Sequence, residues 1–515
     1  MSFLNFVLAI SPIVFVLTGI LAFKKPAMKV APLAMVWTAF LALTYFNLDG
    51  LTLAENTAVL DGLLWKGIKE GFKIVVMVFG AFVILNTLNY TGAIDDVKTT
   101  ITRVSGQDRR VQLVIVGMMV PIFLEGAAGA GSPAAIAAPF LVALGFDPIT
   151  AIAVALLGDA TPCSWGGAGL TTINGGAVLV EAGLSTHALN SAMVGRFHMF
   201  GVAIIPFLSV GIAFGRKGFR GIIPYLLYAG ITTGGVMFLL SNYVGPEVTS
   251  MGTGLISILL SVAYVKIVPI STPEEYRYAV AADTKVKYGA FRALSPYVYM
   301  LILLPLVRYG VPYLWPETGF KTLCMFGYIS WVDAVILVCA LLGALTLRVP
   351  VDEFGQVLGK TARSVLPVMV TMGSLLILSY IMQSATTGMM SLIADDIAAV
   401  AASAYPAAAV LIGAMGSFIT GTGLGSNLMF AGMHSEAALN LGMNPITVFA
   451  GQNAAASLGN LICPNNTVAA CATVGRVGDE NLVMRRTLPA FAVLVVLYMV
   501  LSLLYTLVLF PHFGA

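Results

Sequence analysis

The chain has 515 residues, 58% of them hydrophobic and only 10% charged, with a formal net charge of +3 and a mean hydropathy of +0.93. Soluble globular chains carry about a quarter charged residues, so this one is solvated mainly by lipid. The small net charge and the lack of any arginine-rich tract exclude a nucleic-acid partner, and five cysteines without a CxxC pair argue against a metal cage or disulfide scaffold.

Long apolar runs recur along the chain, continuous rather than alternating as membrane-spanning strands would be. The expected fold class is therefore an all-α polytopic membrane protein. The first run, Phe6–Phe23, has no positive charge before it, and Lys24 and Lys25 follow it. That order predicts a retained first span with the N-terminus outside, not a cleaved signal. Full spans are expected near 6–23, 30–47, 72–90, 148–185, 197–214, 222–240, 249–267, 297–314, 331–347, 366–382, 446–475 and 488–510, the fourth and eleventh interrupted. The stretches 111–144 and 405–441 are expected to be re-entrant hairpins. This arrangement places 21 of the 27 basic residues in inner loops and both termini outside, as the positive-inside rule asks.

In chain order, the first motif is Phe123–Pro133, FLEGAAGAGSP, lying between two apolar runs. Its glycines and proline do not continue a helix, and Ser132-Pro133 suits the first turn of the next one. Gly158–Gly167, GDATPCSWGG, interrupts the fourth span. Thr420–Asn427, TGTGLGSN, has the same chemistry as the first motif, and Asn453–Asn460 with Cys463–Thr467 interrupts the eleventh span. Irregular backbone is tolerated at membrane depth only when buried in protein or lining a cavity. Each break exposes the positive N-terminal end of a half-helix, a natural anion site. No lysine or arginine lies in these four stretches.

Glu125 and Asp159 are the acidic side chains beside the motifs, and an intramembrane acid is a functional candidate by default. They are the expected sites of ion or proton coupling; the plainer alternatives are a half-helix cap for Asp159 and a neutral structural acid for Glu125. Asp95-Asp96 and Asp395-Asp396 read as solvated loop pairs, His198 as an interface residue, and His434 as a packing residue.

Leu144–Thr150 (LGFDPIT) recurs as Leu441–Thr447 (LGMNPIT), an offset of 297 that also aligns whole spans. Each unit then holds five spans and a hairpin, an odd number of full crossings, so a two-span linker leaves the second unit inverted. The expected organisation is a first repeat over 1–215, a linker with two transmembrane helices over 216–296, and a second repeat over 297–515. Inverted repeats are a common plan of secondary transporters. An anion channel is the competing reading. An enzyme is not expected: Gly158-Asp159 lacks the glycine two residues earlier that intramembrane aspartyl proteases carry, and no G-x-S-x-G or H-E-x-x-H occurs.

Phe123–Phe146, FLEGAAGAGSPAAIAAPFLVALGF, closely resembles the hairpin signature of the bacterial lactate permease family. NYVGPE (242–247), SFITGTGLGSNLMFAG (417–432) and CPNNTVAACATVGRVGDE (463–480) are similar to further motifs of that family. The resemblance implies a re-entrant-hairpin transporter of lactate and glycolate in the bacterial inner membrane. Uptake would be coupled to a cation, a proton or alternatively sodium, without any cofactor, and a homodimer is left open. It places Gly126, Gly129, Ser132, Thr422, Ser426 and Asn427 at the hairpin tips and Thr161, Ser164, Asn465 and Thr467 in the breaks, all toward substrate. The chain departs from the family pattern at Gly423 (usually an acid), Asn460 (usually a lysine) and Cys463 (usually a serine).

Overall fold

The computed structural model describes residues 3–46, 53–93, 95–96, 99, 106–127, 132–277, 287–314, 331–384 and 387–514. Gly129 and the basic residues Lys98, Arg103 and Lys285 lie outside the described residues. Among the described residues the regular elements are all helices, which satisfy their own backbone in lipid.

The first half opens with α1 (Phe3–Leu17), extended by a π turn, then α2 (Ala27–Thr44) and α3 (Leu53–Thr91). A hairpin follows: α4 (Arg109–Val114), a π turn at Ile115–Met119 and α5 (Val120–Ala127) form one arm, and α6 (Ser132–Ala143) the other. Next come α7 (Pro148–Asp159), a 3-10 turn at Pro162–Trp165, α8 (Gly166–Gly175) and the short α9 (Ala177–Glu181). Then α10 (His187–Phe214), α11 (Ile223–Tyr243) and α12 (Pro246–Ile267) run long and apolar. The second half has α13 (Ala290–Pro305), α14 (Val311–Leu314), α15 (Trp331–Thr346), α16 (Val351–Gln383) and α17 (Met389–Ala401). It ends with a second hairpin, α18 (Tyr405–Thr420) and α19 (Gly423–Asn440), a second broken pair, α20 (Pro445–Gly459) and α21 (Pro464–Thr473), and α22 (Glu480–Leu504). Six helical stretches among the described residues are long and apolar enough to cross a membrane.

Elements of the two halves correspond at about the offset seen in the sequence: α3 with α16, α7 with α20, α8 with α21, α10 with α22. The packing corresponds as well. Arm α6 of the first hairpin lies on α21, and arm α19 of the second lies on α8, so each half lends its hairpin to the other's broken helix. Both broken helices begin alike. Asp147 accepts from the Thr150 N–H at 3.0 Å, and Asn444 from the Ile446 N–H at 2.9 Å, each just before a proline. These are ordinary N-caps with proline in the first turn.

Three readings of the sequence change. The spans near 72–90 and 366–382 are the later parts of much longer helices, because the polar turns of α3 and α16 that precede them are invisible to hydropathy. Asp395 and Asp396 lie inside α17, not in a loop. Asp96 is 2% exposed and accepts from the backbone N–H groups of Lys287 and Tyr288 at 3.1 and 2.6 Å, a partnership nearly 200 residues away in sequence.

One charged knot fixes the base of the first hairpin. Arg110, fully buried, is bidentate to Asp108 at 3.0 and 2.6 Å and donates to the carbonyls of Gly218 and Arg220 at 3.0 and 2.6 Å. Its guanidinium lies 4.6 Å from the Tyr276 ring centroid, and Thr272 Oγ1 donates to Asp108 at 2.9 Å. The loops after α10 and α12 are thereby tied to the start of the hairpin. At the same end, Arg109 donates to the Gly145 carbonyl at 2.9 Å, so the hairpin's beginning and end meet.

Removing one member of a buried, hydrogen-bonded ion pair typically costs 3–5 kcal/mol. Arg110→Met is therefore expected to lower the unfolding midpoint of the detergent-solubilised protein, with Asp108→Asn added recovering part of the loss. An unchanged midpoint for Arg110→Met would show the knot to be dispensable. A second expectation concerns Asp147 at the start of α7. Partial burial opposes its charge but is outweighed by the Thr150 N–H and hydroxyl and by Arg486 at 3.0 Å, which hold the carboxyl below its ordinary value. A depressed carboxylate stabilises above its unfolded pKa of about 3.9 and loses that contribution as pH falls through the folded value. Asp147→Asn should thus flatten the acid limb of a stability–pH curve below about pH 4 and leave the neutral limb parallel to that of the parent.

Candidate functional site

The two helix breaks meet in the interior. α7 stops because Pro162 has no N–H to donate, and the chain tightens into a 3-10 turn before α8. Trp165 in this turn is fully buried and donates through Nε1 to Ser191 Oγ at 3.0 Å, holding the break against α10. α20 stops at Gly459, and Pro464 starts α21. Asn460 donates to the Cys163 sulfur, so the two breaks touch at positions 297 residues apart.

A single polar network joins them. Ser164 Oγ meets His198 Nε2 at 2.8 Å, Ser457 Oγ at 2.8 Å and the Asn453 carbonyl at 3.2 Å. His198 Nδ1 meets Tyr498 OH at 2.7 Å, bringing in α10 and α22. Thr172 Oγ1 donates to the Ser164 carbonyl at 2.6 Å and accepts from Asn453 Nδ2 at 2.9 Å. Asn427 Nδ2 donates to the Asn453 side chain at 2.9 Å and to the Thr171 carbonyl at 3.0 Å. Gln452 Nε2 closes the chain with bonds to Asn427 Oδ1 at 2.9 Å and Ser426 Oγ at 3.3 Å, and Ser426 donates to the Gly413 carbonyl at 2.8 Å.

Capacity separates the candidate residues into two groups. A hydroxyl has one proton and two lone pairs, and an amide two protons and two lone pairs. Ser164, Ser426 and Asn427 spend nearly all of theirs within the protein. Thr422 caps α19 by accepting from the Gly425 N–H at 3.0 Å, and Thr467 donates back to the Cys463 carbonyl at 2.9 Å. Gly126 is a packing point: a Cβ there would lie 2.8 Å from the Met251 Cα on α12. Ser132 opens α6. Thr161 Oγ1, Asn460 Oδ1, Asn465 Oδ1, Asn466 Nδ2 and Gln452 Oε1 are buried without a hydrogen-bond partner among the described residues. Three of these five residues, Asn460, Asn465 and Asn466, belong to the second break.

The two acids come together. Glu125, at the end of α5, and Asp159, at the end of α7, are 0% and 1% exposed and near enough to act on each other's charge. The Cys163 thiol lies beside both, and Gly423 at the start of α19 faces the same sulfur, 3.2 Å from where its Cβ would be. At the second tip, Gly421 turns with φ +77°, and a Cβ there would press on Asn465 Nδ2 at 2.7 Å. The tip of the second hairpin thus rests on the second break.

The sequence did not single out His198, Tyr498 or Gln452 as members of the site, and it placed Cys163, Asn453 and Ser457 only within the stretches that interrupt the spans. His198, expected at an interface, is instead fully buried because it bonds Ser164 and Tyr498, and Tyr498 carries no local signal in its apolar helix. Gln452, Asn453 and Ser457 were legible as a polar face within an apolar helix, at positions i, i+1 and i+5.

The sequence profile of the L-lactate permease family matches residues 5–315 and 312–509. The L-lactate permease of Salmonella typhimurium is 27% identical over 438 residues, covering 77% of this chain and 78% of its own length. The L-lactate permease of Streptococcus iniae is 27% identical over 455 residues, covering 85% and 92%. The glycolate permease GlcA of Escherichia coli is 23% identical over 534 residues, covering 94% and 92%. Among solved structures, the YdaH transporter of Alcanivorax borkumensis superposes with a TM-score of 0.39 at 16% identity, covering 92% of this chain and 98% of that one. With a profile match running through both halves, the chain belongs to the L-lactate permease family.

Proposed function

We propose that the chain is a secondary active importer of small monocarboxylates such as lactate and glycolate, coupled to a proton and working by alternating access between two inverted halves. Relatives named as lactate and glycolate permeases support the substrate class. The exchange of hairpins between the halves, α6 on α21 and α19 on α8, supports two units that trade roles.

The observation that carries the reading is the burial of two neighbouring acids, Glu125 and Asp159, next to two helix breaks. A substrate carboxylate at the breaks is met by half-helix N-termini, each worth up to about 2 kcal/mol when partly buried. Desolvating that carboxylate costs several kcal/mol, so one end does not suffice and the spare amide donor of Asn466 is needed as well. Two neighbouring carboxyls in a dry interior avoid carrying two charges by sharing a proton. An anion arriving beside them is repelled while they are ionised and admitted once they are protonated. Protonation and substrate binding therefore favour each other, as symport requires. The proton also cancels the electrical work of moving an anion into an inside-negative cell, about 2.3 kcal/mol per 100 mV.

Purified protein in proteoliposomes tests this. One pH unit is worth about 1.4 kcal/mol, which for one proton per anion supports about tenfold accumulation of labelled lactate. Asp159→Asn and Glu125→Gln should abolish accumulation driven by a pH gradient while leaving lactate counterflow measurable. Parent-like accumulation in both variants would sink the assignment of these acids. Accumulation that follows an imposed sodium gradient and ignores pH would replace the proton with sodium. Non-saturable flux without counterflow would identify a channel.

A further inference from the structure

Beside the second break lies a small cavity of ≈ 20 Å³, walled by Ile13 and Val16 of α1, Leu375 and Leu378 of α16, and Phe418 and Ile419 of α18. All six side chains are more than nine-tenths buried, and the recess between them is partly open on one side. A space of this size takes about one water-sized or methyl-sized group, and its walls offer no polar atom to a water.

Its floor is different in kind. Pro464 and Asn465, the first two residues of the ten-residue helix α21, close it off. Asn465 is 3% exposed, its Nδ2 is against Gly421 of the hairpin tip, and its Oδ1 has no partner among the described residues. Asn466 Nδ2, next in the same turn, is likewise buried without one. The helix start is weakly capped: the Cys463 thiol lies near the N–H groups of Asn465 and Asn466 but makes no side-chain capping bond of normal geometry. Sulfur is a poor acceptor, so these donors stay open to a stronger one. An unfilled helix N-terminus, a spare donor at Asn466 Nδ2, a spare acceptor at Asn465 Oδ1 that suits a 2-hydroxyl, and an apolar, methyl-sized recess are thus contiguous.

We infer that this recess seats the C2 substituent of a 2-hydroxy acid whose carboxylate lies on the first turn of α21, so that Ile13, Val16, Leu375 and Leu378 set the size of substrate carried. In such an acid the substituent carbon is two bonds from the carboxyl carbon, which matches an apolar recess adjoining an anion site. Glycolate leaves the recess empty, the methyl of lactate fills it, and a branched four-carbon substituent overfills it. The inference rests on the monocarboxylate reading, and it assigns a selective role to α1 and α16, which hold none of the hairpin or break motifs.

Uptake by the full chain in proteoliposomes, measured as KM for glycolate, lactate, 2-hydroxybutyrate and 2-hydroxyisocaproate under one gradient, tests it. A single methylene in an apolar pocket changes selectivity by about tenfold or more. The parent should therefore favour lactate over glycolate by about that factor and reject 2-hydroxyisocaproate. Leu378→Phe should raise the lactate-to-glycolate KM ratio about tenfold, and Leu378→Ala and Val16→Ala should lower the KM for 2-hydroxybutyrate relative to lactate. The alanine variants decide the matter if Leu378→Phe does not reconstitute. Unchanged KM ratios in variants that transport, or a parent that prefers glycolate, overturn this inference alone. A parent that carries none of the four acids overturns it together with the monocarboxylate reading.

Discussion

An unwound stretch of backbone at hydrocarbon depth has no water to bond, and leaving its groups unmade costs several kcal/mol each. Everything at the centre of this protein follows from that constraint. The two broken helices are placed back to back, and a continuous run of hydroxyls, amides and one imidazole ties them, with Ser164 in the middle. The run draws on α8, α10, α19, α20 and α22, so the break in one half is satisfied largely by the other half. Such networks are stable only when nearly every member is paired. The few atoms left over, at Thr161 and around the second break, mark where a polar ligand is worth most.

The two hairpins are held differently, although their elements correspond. The first is backed along its length by α12, where Ser250 Oγ donates to the Ile122 carbonyl at 2.7 Å and Gly126 abuts Met251. Its base is locked by the buried Arg110–Asp108 knot. Among the described residues of the second half, no helix matches α12 at the offset that relates the other elements. The second hairpin instead leans its tip on Asn465 and its arm on α8 and α20. The chain thus has one buttressed hairpin and one whose tip bears directly on the break beside the small recess.

The absence of a cationic side chain from the four motif stretches has an energetic logic under the proposed function. A lysine there, as the family pattern has at the position of Asn460, would attract a carboxylate in every protonation state of the acid pair. Helix ends and amides are weaker and fixed in place. Their net attraction is small enough for Glu125 and Asp159 to decide whether an anion is admitted.

Much of this was legible from one-dimensional information. Hydropathy marks the spans, the Asp147-Pro148 and Asn444-Pro445 pairs mark matching helix starts, and the glycine and proline clusters mark the turns and breaks, because each acts on its own local backbone. The proximity of Glu125 to Asp159 was not legible. Nor was the burial of Asp96 under Lys287 and Tyr288, the assembly of Ser164 with His198, Tyr498 and Ser457, or the enclosure of a recess by α1, α16 and α18. A helix break is set by residues within a turn of it, whereas a hydrogen bond between positions 164 and 457 depends on how whole helices dock. Sequence by itself therefore determined where the chain bends and which face of the chemistry is polar. Tertiary packing alone decided which of those polar groups are consumed inside the protein and which remain for a ligand.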